Sequence, residues 1–353
     1  MTTTDDHAVS EEQIRFDLPS ERRLYESLSD YWHPVAYASQ LGDEKPIPAT
    51  LLGEALVLAR LGGEVRAFRD LCAHRGTALS LGWVEDGALR CAYHGWKYGS
   101  DGMCTEIPAR FGASIPPRAR LTPFVAAEAA GLIWVCLSGE PRYPLPEFPY
   151  FEDPAYRMVE VDVYDWNCSM QRRIENYVDF AHFAWVHDGV LGDKNEPEVP
   201  EHGIGRVGGE LRFDHPHMSE PADSAKNASL ENDGSPVEVE IDYRLFMPNT
   251  ILVDQSIPQL SQRYLLFFSV CPTGPKTSRC FTFMGRDYGF DDQTDQDMLD
   301  FNELVISQDL PIVQSQRPEE LPMDLSAEVQ IRGADKVAVE YRRWLKEISE
   351  GVL

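Results

Sequence analysis

Two short stretches indicate the class of this protein. They are Cys72-Ala73-His74-Arg75-Gly76 and Cys91-Ala92-Tyr93-His94-Gly95-Trp96. Each stretch offers one thiolate and one imidazole, and sixteen residues separate His74 from Cys91. A Rieske [2Fe–2S] centre needs this division, because two Cys hold one iron and two His hold the other. The alternative with the same ligand count is a structural Cys₂His₂ zinc site, which usually takes its Cys as one pair and its His as another. The pattern therefore predicts a Rieske cluster bound by Cys72, His74, Cys91 and His94.

Length and composition indicate a globular protein with room for two domains. The chain has 353 residues, of which 43% are hydrophobic and 25% are charged, and these are ordinary globular values. The formal net charge of −26 argues against nucleic acid as a partner, because phosphate binding needs basic surfaces. The sequence has no uninterrupted apolar run of about 18 residues, so we expect no membrane-spanning helix.

The beginning of the sequence and its cysteines predict a cytoplasmic location. The stretch MTTTDDHAVSEEQ is polar and acidic, without the basic and apolar regions of a signal peptide. Seven cysteines, an odd number spread thinly, do not make a secreted disulfide framework. The five cysteines outside the two motifs are expected to be reduced and to pack as small hydrophobes.

The pattern of apolar residues predicts an α+β fold with a boundary near the middle of the chain. Short strand-like runs broken by Gly and Pro occupy about 33–140, which favours an all-β domain with the two motifs at hairpin tips. Five prolines in 141–154 mark the boundary, because proline cannot continue a helix. Beyond the boundary we expect a helix over 168–187, four strands between 237 and 288, a helix starting near 294 and an amphipathic helix over 335–349.

Ligand-type residues also lie in the helix predicted over 168–187. Asp179 and His182 are three residues apart, so a helix places them on one face. His182 and His187 are about 140° apart around an ideal helix, so both can reach one metal only if the helix is distorted or ends between them. Two His and one carboxylate are the ligands of many non-haem Fe(II) sites. Two unrelated histidines beside an aromatic core are the alternative interpretation of this spacing.

The two motifs, in this order, resemble the catalytic (α) subunits of Rieske non-haem iron oxygenases, and the resemblance covers about residues 25–345. The string D-x-x-H-x₄-H from Asp179 to His187 is similar to that family's mononuclear iron motif. The segment Gln308-Asp309-Leu310-Pro311-Ile312 is similar to its late ligand segment. The resemblance implies that His182, His187 and Asp309 bind iron, with Pro311 helping to aim the carboxylate. Other acids stay open as substitutes for Asp309: Asp300, Glu303, Glu319 and Glu320.

The resemblance also implies a mode of assembly. In the family, the acid that matches Asp179 hydrogen-bonds an iron-ligating histidine and, across a subunit interface, a cluster histidine. Mapped onto this chain, His94 of one subunit meets Asp179 of its neighbour, and Asp179 orients His182. Asn176 or Glu175 is expected to support the same group. A head-to-tail homotrimer would supply the neighbour, because a threefold rotation closes such a ring.

The implied architecture is an all-β Rieske domain over 31–145 and a catalytic domain over 146–353, with residues 1–30 as an N-terminal segment packed on the catalytic domain. The catalytic domain is expected to hold an antiparallel sheet flanked by helices, of the helix-grip or START-like kind. Finer features resemble the trimeric branch, which includes vanillate and dicamba O-demethylases and oxygenases that tailor saxitoxin-type alkaloids. Residues 315–322 and 341–346 are similar to the saxitoxin-tailoring oxygenases.

The implied activity is that of a terminal oxygenase with a Rieske cluster and a mononuclear Fe(II). A separate reductase, directly or through a ferredoxin, supplies electrons that derive from NAD(P)H. With O₂, the enzyme hydroxylates or oxidatively demethylates a small organic substrate. One alternative is an aromatic-ring cis-dihydroxylating dioxygenase. Two others come from outside this activity: a Rieske electron-transfer protein without oxygenase activity, and a zinc-stabilised binding protein.

The substrate pocket is expected beneath the sheet of residues 240–285, with 190–235 as a candidate lid. Near the predicted cluster, Arg75, Arg90 and Lys97 form either a docking patch for an acidic electron donor or an ordinary solvated face. The residues predicted to line the pocket are Leu252, Asp254, Tyr264 and Phe267.

Overall fold

The computed structural model describes residues 19–110, 112, 114–220 and 237–352, and only the backbone of 215–220, 237 and 238. This part of the chain forms two compact units. The first unit holds residues 28–145, and the second combines the described residues before Leu28 with those after Leu145. None of the described helices combines the length and the apolar character that a membrane span needs.

Ten short strands build the first unit. One sheet has the order β1-β10-β9-β4-β3-β2, and a four-stranded sheet has the order β5-β6-β7-β8. The hydrophobic core of this unit joins Leu61, Phe68 and Leu89 to both motif cysteines, Cys72 and Cys91. The motif loops are therefore anchored in the core through their sulfur ligands. In chain order the strands are β1 (His33–Tyr37), β2 (Ile47–Leu51), β3 (Glu54–Leu61), β4 (Glu64–Arg69), β5 (Trp83–Glu85), β6 (Ala88–Arg90), β7 (Lys97–Tyr98), β8 (Cys104–Glu106), β9 (Pro123–Ala129) and β10 (Leu132–Cys136).

The second unit is an antiparallel sheet packed against helices. Its strand order is β11-β18-β17-β16-β15-β14-β13, and β12 also pairs with β18. The strands are β11 (Arg157–Glu160), β12 (Tyr164–Trp166), β13 (Ile204–Val207), β14 (Glu210–Glu220), β15 (Val237–Phe246), β16 (Thr250–Ile257), β17 (Gln262–Gly274) and β18 (Thr277–Arg286). The helices are α1 (Pro19–Ser27), α2 (Met170–Val178), α3 (Phe183–Val186), α4 (Asp292–Ser315) and α5 (Lys336–Ser349). The predicted α+β class is confirmed.

The long helices begin where the sequence predicts them. The Asp291 side chain accepts the N–H of Thr294 at 2.9 Å, which caps one of the unpaired donors at the start of α4. α4 continues through Pro311 to Ser315, so this proline lies inside the helix. α5 matches the amphipathic helix predicted near the C-terminus.

The predicted lid over 190–235 is wrong for residues 204–220, which form a hairpin of the sheet. β13 and β14 are strands of the sheet, and Leu211 and Phe213 in β14 are buried. Because their backbones take part in the ladder, these residues belong to the scaffold of the unit. Residues 221–236 of the predicted lid lie outside the described residues.

Candidate metal centres and substrate cavity

The two motif stretches form a matched pair of loops. In each loop the Cys N–H donates to the carbonyl five residues further on, that of Thr77 or Trp96. The N–H of the glycine four residues after the Cys donates back to the Cys carbonyl. These glycines, Gly76 and Gly95, have φ values of 70° and 69°, a region that glycine enters without steric cost. The repeated hydrogen-bond pattern presents two equivalent Cys–His pairs to one centre.

The four predicted cluster ligands fit a Rieske centre. Cys72 and Cys91 are 4% and 1% exposed, and the imidazole centroids of His74 and His94 lie 4.6 Å apart. His94 is exposed at the loop tip. The buried Nδ1 of His74 has no hydrogen-bond partner among the described residues, as expected for an atom that faces a metal. Two buried sulfurs and two adjacent imidazoles are the donor set that this cluster requires.

Aromatic side chains pack around these ligands. The Trp96 ring stacks on the His74 ring, with centroids 4.6 Å apart and an angle of 6° between the planes. The Tyr98 hydroxyl lies 3.1 Å from Cys72 Sγ. Burial raises the pKa of this hydroxyl, so Tyr98 stays protonated and can donate to the sulfur.

The predicted single helix over 168–187 is wrong, and the difference brings the histidines together. α2 starts at the Ser169 cap, whose hydroxyl accepts the N–H of Arg172 at 3.2 Å, and it ends at Val178. Asp179 is extended, and its Oδ1 accepts the N–H of Ala181 at 2.8 Å. Such side-chain hydrogen bonds to nearby backbone favour turns over helices. The chain therefore turns before the short helix α3.

His182 and His187 flank α3 and converge with Asp309 from α4. Asp309 Oδ1 lies 3.2 Å from His187 Nε2 and 3.6 Å from His182 Nε2. The ligand atoms of these three residues lie within 4.8 Å of one another, and they form the one such group of metal-ligating side chains found among the described residues. Two imidazoles and one carboxylate fit a mononuclear Fe(II) site.

The alternative acids lie elsewhere in the second unit. Glu319 pairs with Lys276 and Arg317, and Asp300 accepts a hydrogen bond from Gln296. Neither carboxylate joins the two histidines.

Three further side chains support the histidine–carboxylate group. His187 Nδ1 lies 2.7 Å from Gln308 Oε1, and Asn176 Nδ2 donates to Asp309 Oδ1 at 3.3 Å. Arg173 Nη1 lies 3.8 Å from Asp309 Oδ2. Burial alone raises the pKa of the Asp309 carboxyl, but His187 and the charge of Arg173 outweigh it, and the pKa lies below its usual value. A buried carboxylate that stays ionised suits a metal ligand.

Asn176 or Glu175 was expected beside Asp179 and His182, but the Asn176 side chain contacts Asp309 and Arg173 instead, and Glu175 has another role. Glu175 accepts hydrogen bonds from Arg342 at 2.5 and 2.8 Å. Sequence reasoning gave no role to Arg173 or Gln308. Two sequence features could have indicated these roles. Arg173 lies one helical turn before Asn176, and the amide of Gln308 lies next to Asp309.

Asp179 lies beside His182, although not for the reason that the sequence suggested. Because α2 ends at Val178, the two residues do not share a helix face. The turn instead brings Asp179 Oδ2 to 3.6 Å from His182 Nδ1. The Asp179 side chain is 36% exposed, so its carboxylate is accessible from outside the second unit.

A cavity opens beside His182, His187 and Asp309. It encloses about 810 Å³ of atom-free space, part of it continuous with solvent. Its wall is mostly apolar and aromatic. The lining residues are Asn176, Tyr177, His182, Phe183, His187, Leu191, Ile241, Tyr243, Val253, Gln255, Tyr264, Leu266, Phe301, Asn302, Val305 and Asp309.

Of the four predicted pocket residues, only Tyr264 lines this cavity. The β16–β17 register pairs the lining residues Gln255 with Tyr264 and Val253 with Leu266. Successive side chains of a strand face opposite sides of the sheet, so the predicted Leu252, Asp254 and Phe267 face away. Asp254 instead accepts the Tyr150 hydroxyl at 2.8 Å and pairs with Arg263. The prediction selected the wrong face of the sheet for these three residues.

The basic residues near the cluster are largely neutralised within their own unit. Arg90 pairs with Glu85 and Glu106, and Lys97 pairs with Glu85 and Asp86. Arg75 is exposed. These pairs favour the solvated-face interpretation over a strongly positive docking patch.

Two family profiles match the chain. One is described as the Rieske [2Fe-2S] domain and matches residues 31–117. The other is described as the vanillate O-demethylase oxygenase C-terminal domain and matches residues 166–351.

Relatives and solved structures extend the likeness over most of the chain. Methylxanthine N1-demethylase NdmA of Pseudomonas putida is 37% identical over 336 residues, covering 92% of this chain and 90% of NdmA. Methylxanthine N3-demethylase NdmB of the same organism is 34% identical, covering 91% and 90%. The structure of NdmA with caffeine has a TM-score of 0.82 at 36% identity and covers 93% of both chains. Dicamba monooxygenase bound to dicamba, at 22% identity and a TM-score of 0.77 over 92% of this chain and 98% of its own, shares the fold.

A Rieske domain joined to a sheet domain with a two-histidine, one-carboxylate group defines an iron-dependent oxygenase. The chain belongs to the Rieske non-haem iron oxygenases, as a catalytic (α) subunit in the branch of the demethylases. Its cofactors are a Rieske [2Fe–2S] cluster and a mononuclear iron. It is a terminal oxygenase that uses O₂ and takes electrons from a separate reductase.

Proposed function

We propose that this oxygenase oxidatively demethylates a neutral, planar, methyl-bearing heteroaromatic compound. One observation supports this class of substrate. None of the described residues that line the cavity is Lys or Arg, and the only carboxylate among them is Asp309. An anionic substrate would lose its hydration there without gaining a cationic partner, which is costly. A neutral substrate avoids this cost.

The remaining lining residues suit a flat heterocycle with polar atoms on its rim. Phe183, Phe301 and Tyr177 offer ring faces and edges for aromatic packing. Gln255 and Asn302 offer amide groups within an otherwise apolar wall, and such isolated polar groups fix the orientation of small ligands. The names of NdmA and NdmB describe demethylases of methylxanthines, which are heterocycles of this kind.

The proposal assigns His182, His187 and Asp309 to the mononuclear iron, and Cys72, His74, Cys91 and His94 to the cluster. When bound, the mononuclear iron supplies the O₂-activating chemistry at an open coordination position. Gln308 Oε1 accepts the Nδ1–H of His187, which leaves Nε2 of His187 as the free nitrogen facing Asp309. The cavity wall holds the methyl group beside this set of ligands and limits the access of water.

The proposal includes a head-to-tail homotrimer in which His94 of one subunit meets Asp179 of its neighbour. The exposure of His94 and of the Asp179 carboxylate supports it, since each can be reached by another subunit. Residues 31–145 would serve as the cluster domain, 146–353 as the catalytic domain and 1–30 as a segment packed on the latter. Residues 1–18 lie outside the described part. We also place the protein in the cytoplasm, because none of the seven cysteines forms a disulfide, as is usual in a reducing compartment.

The test is turnover with a surrogate reductase, comparing neutral N-methylated heteroaromatics with methoxybenzoates. Demethylation of an N–CH₃ group consumes O₂, two electrons and two protons and releases an N–H product, formaldehyde and water. We expect NADH use coupled to formaldehyde with the neutral compounds, and product identified by mass spectrometry. Preference for methoxybenzoates would contradict the substrate class. A diol without formaldehyde would indicate the dioxygenase alternative.

His182→Ala tests the iron assignment in the same assay. This variant should keep the visible spectrum of the cluster while its turnover falls to background, because one of three ligands is lost. It should also lower the metal content from about three irons per chain towards the two of a cluster alone. Retained turnover would refute the role of His182. A wild-type protein with two irons and no turnover would favour the electron-transfer alternative.

A further inference from the structure

One buried cation lies directly behind the carboxylate of the mononuclear site. Arg173 on α2 has a side chain that is 1% exposed. Its guanidinium carbon lies 4.2 Å from the Trp166 ring centroid, 4.5 Å from that of Tyr177 and 4.9 Å from that of Phe268. Cations held on aromatic faces are attracted by the ring quadrupole. The three rings therefore fix the position of this charge.

The guanidinium contacts the carboxylate by two routes. Its Nη1 lies 3.8 Å from Asp309 Oδ2. It also donates to Asn176 Oδ1, and Asn176 Nδ2 donates to Asp309 Oδ1 at 3.3 Å. Oδ1 is the oxygen that lies closest to the two histidines. One oxygen of Asp309 thus faces the metal ligands and the other faces Arg173.

The arrangement is costly as a purely structural ion pair. Two charges withdrawn from water rarely stabilise a fold more than apolar side chains of the same size would. An arginine stays protonated in such a place, so the positive charge beside Asp309 is permanent. The positive charge of Arg173 balances the single negative charge of the three proposed iron ligands, His182, His187 and Asp309. A fixed positive charge repels Fe(III) more than Fe(II), which favours the reduced ion.

We propose that Arg173 is a positioning residue of the mononuclear iron site. It holds the Asp309 carboxylate with Oδ1 towards His182 and His187, and it biases the bound iron towards the ferrous state in which O₂ chemistry begins. The inference rests on the proposed role of Asp309 as an iron ligand. With Oδ2 facing Arg173, Oδ1 is the oxygen through which Asp309 would hold an iron.

The test compares Arg173→Met with Arg172→Met in the full chain loaded with both cofactors. Arg172 is a matched control, because it is the preceding residue of the same helix and is equally buried, but it pairs with Glu328 at 2.7 Å and with the Pro318 carbonyl. The measurement is the Fe(III)/Fe(II) midpoint potential, followed through the electron paramagnetic resonance of high-spin ferric iron. The cluster potential, read from visible absorption, reports whether the rest of the protein is intact.

We expect Arg173→Met to shift the ferrous-to-ferric ratio at a fixed potential at least tenfold towards ferric, about 59 mV for one electron. Arg172→Met should change the ratio less than twofold. Arg173→Lys, which restores a charge, should recover more than half of the shift. If Arg173→Met does not fold, Arg173→Gln serves as a second neutral variant, and we expect the same shift in its ferrous-to-ferric ratio.

A neutral Arg173 variant with a ratio within twofold of wild type would overturn the inference, and so would an equal shift in Arg172→Met. Asp309→Ala separates this failure from that of the proposed function. If Asp309→Ala binds as much iron as wild type, the ligand assignment itself is wrong. If Asp309→Ala loses the mononuclear iron while neutral Arg173 variants keep the wild-type ratio, only the role of Arg173 is wrong.

Discussion

Single hydrogen bonds reach the proposed ligands of both metal sites. At the mononuclear site, Gln308 selects the tautomer of His187 through a 2.7 Å contact. At the cluster, the Tyr98 hydroxyl lies 3.1 Å from Cys72 Sγ. The tyrosine comes from β7, 26 residues after the cysteine, and reaches it through the core of the first unit. Hydrogen bonds to cluster sulfurs raise the reduction potential, because they stabilise the electron density that reduction adds.

Tyr98→Phe should lower the reduction potential of the cluster by roughly 50 mV. The estimate takes the net value of one hydrogen bond, about 1 kcal/mol, and converts it for a one-electron couple. A redox titration followed by visible absorption measures the shift. Tyr93→Phe is the control, since the Tyr93 side chain is exposed beside His94 and the substitution keeps the backbone N–H that contacts the Cys91 thiol. An equal shift in both variants would rule out the contact with Cys72 as the cause.

At the scale of helices, α1 and α5 pack together in the second unit and enclose a carboxyl group. Glu21 on α1 is buried, and its carboxylate accepts the N–H of Met323 at 3.3 Å. Burial raises the pKa of Glu21 from 4.5 to about 7, and the nearby Glu320 adds to the shift. The folded protein therefore binds more protons than the unfolded chain between these two pH values. Its stability should fall as the pH rises through this window.

Glu21→Gln should remove this pH dependence, because the amide still accepts the Met323 N–H and carries no charge. Near pH 4 the variant and the wild type should be about equally stable. At pH 8 the variant should be more stable by about 2–3 kcal/mol. Denaturant midpoints at the two pH values provide the measurement. Glu26→Gln, exposed on the same helix, should change the free energy of unfolding by less than about 0.5 kcal/mol at either pH. A constant difference between wild type and Glu21→Gln would contradict the prediction.

At the scale of the whole molecule, the two metal sites belong to different compact units. Each site presents an accessible group, His94 at the cluster and the Asp179 carboxylate at the mononuclear site. In the proposed trimer these groups meet between subunits. Asp179 would then serve two histidines at once, its own His182 and the His94 of a neighbour.

Asp179→Ala should slow electron transfer between subunits while leaving both cofactors bound. We expect reoxidation of the reduced cluster, with substrate and O₂ present, to slow at least tenfold, in line with the loss of other groups that orient metal ligands. Stopped-flow absorption of the cluster measures this rate. Asp193→Ala, an exposed acid of the following loop, should leave it unchanged. A wild-type rate in Asp179→Ala would count against the bridge.

The family, the cofactors and the class of reaction could be predicted from the sequence alone. The cluster motif lies within two short loops, so the spacing of Cys72, His74, Cys91 and His94 could be interpreted without the fold. The strands from β15 to β18 and helix α5 carry strong local periodicity, and their type was predicted correctly. The sequence also showed that His182 and His187 need a break in the helix before they can share a metal.

The position of that break and the surroundings of the proposed iron ligands became apparent only in the folded structure. The Asp179 side chain ends α2 by a hydrogen bond to Ala181, which competes with helix formation in a way that periodicity does not show. Leu252 and Asp254 were assigned to the wrong face, because an error of one residue in a strand exchanges its two sides. Arg173 and Asp309 are 136 positions apart in the sequence, and their contact depends on how α2 and α4 pack. Contacts of this kind arise from packing between distant segments, which the local sequence does not encode.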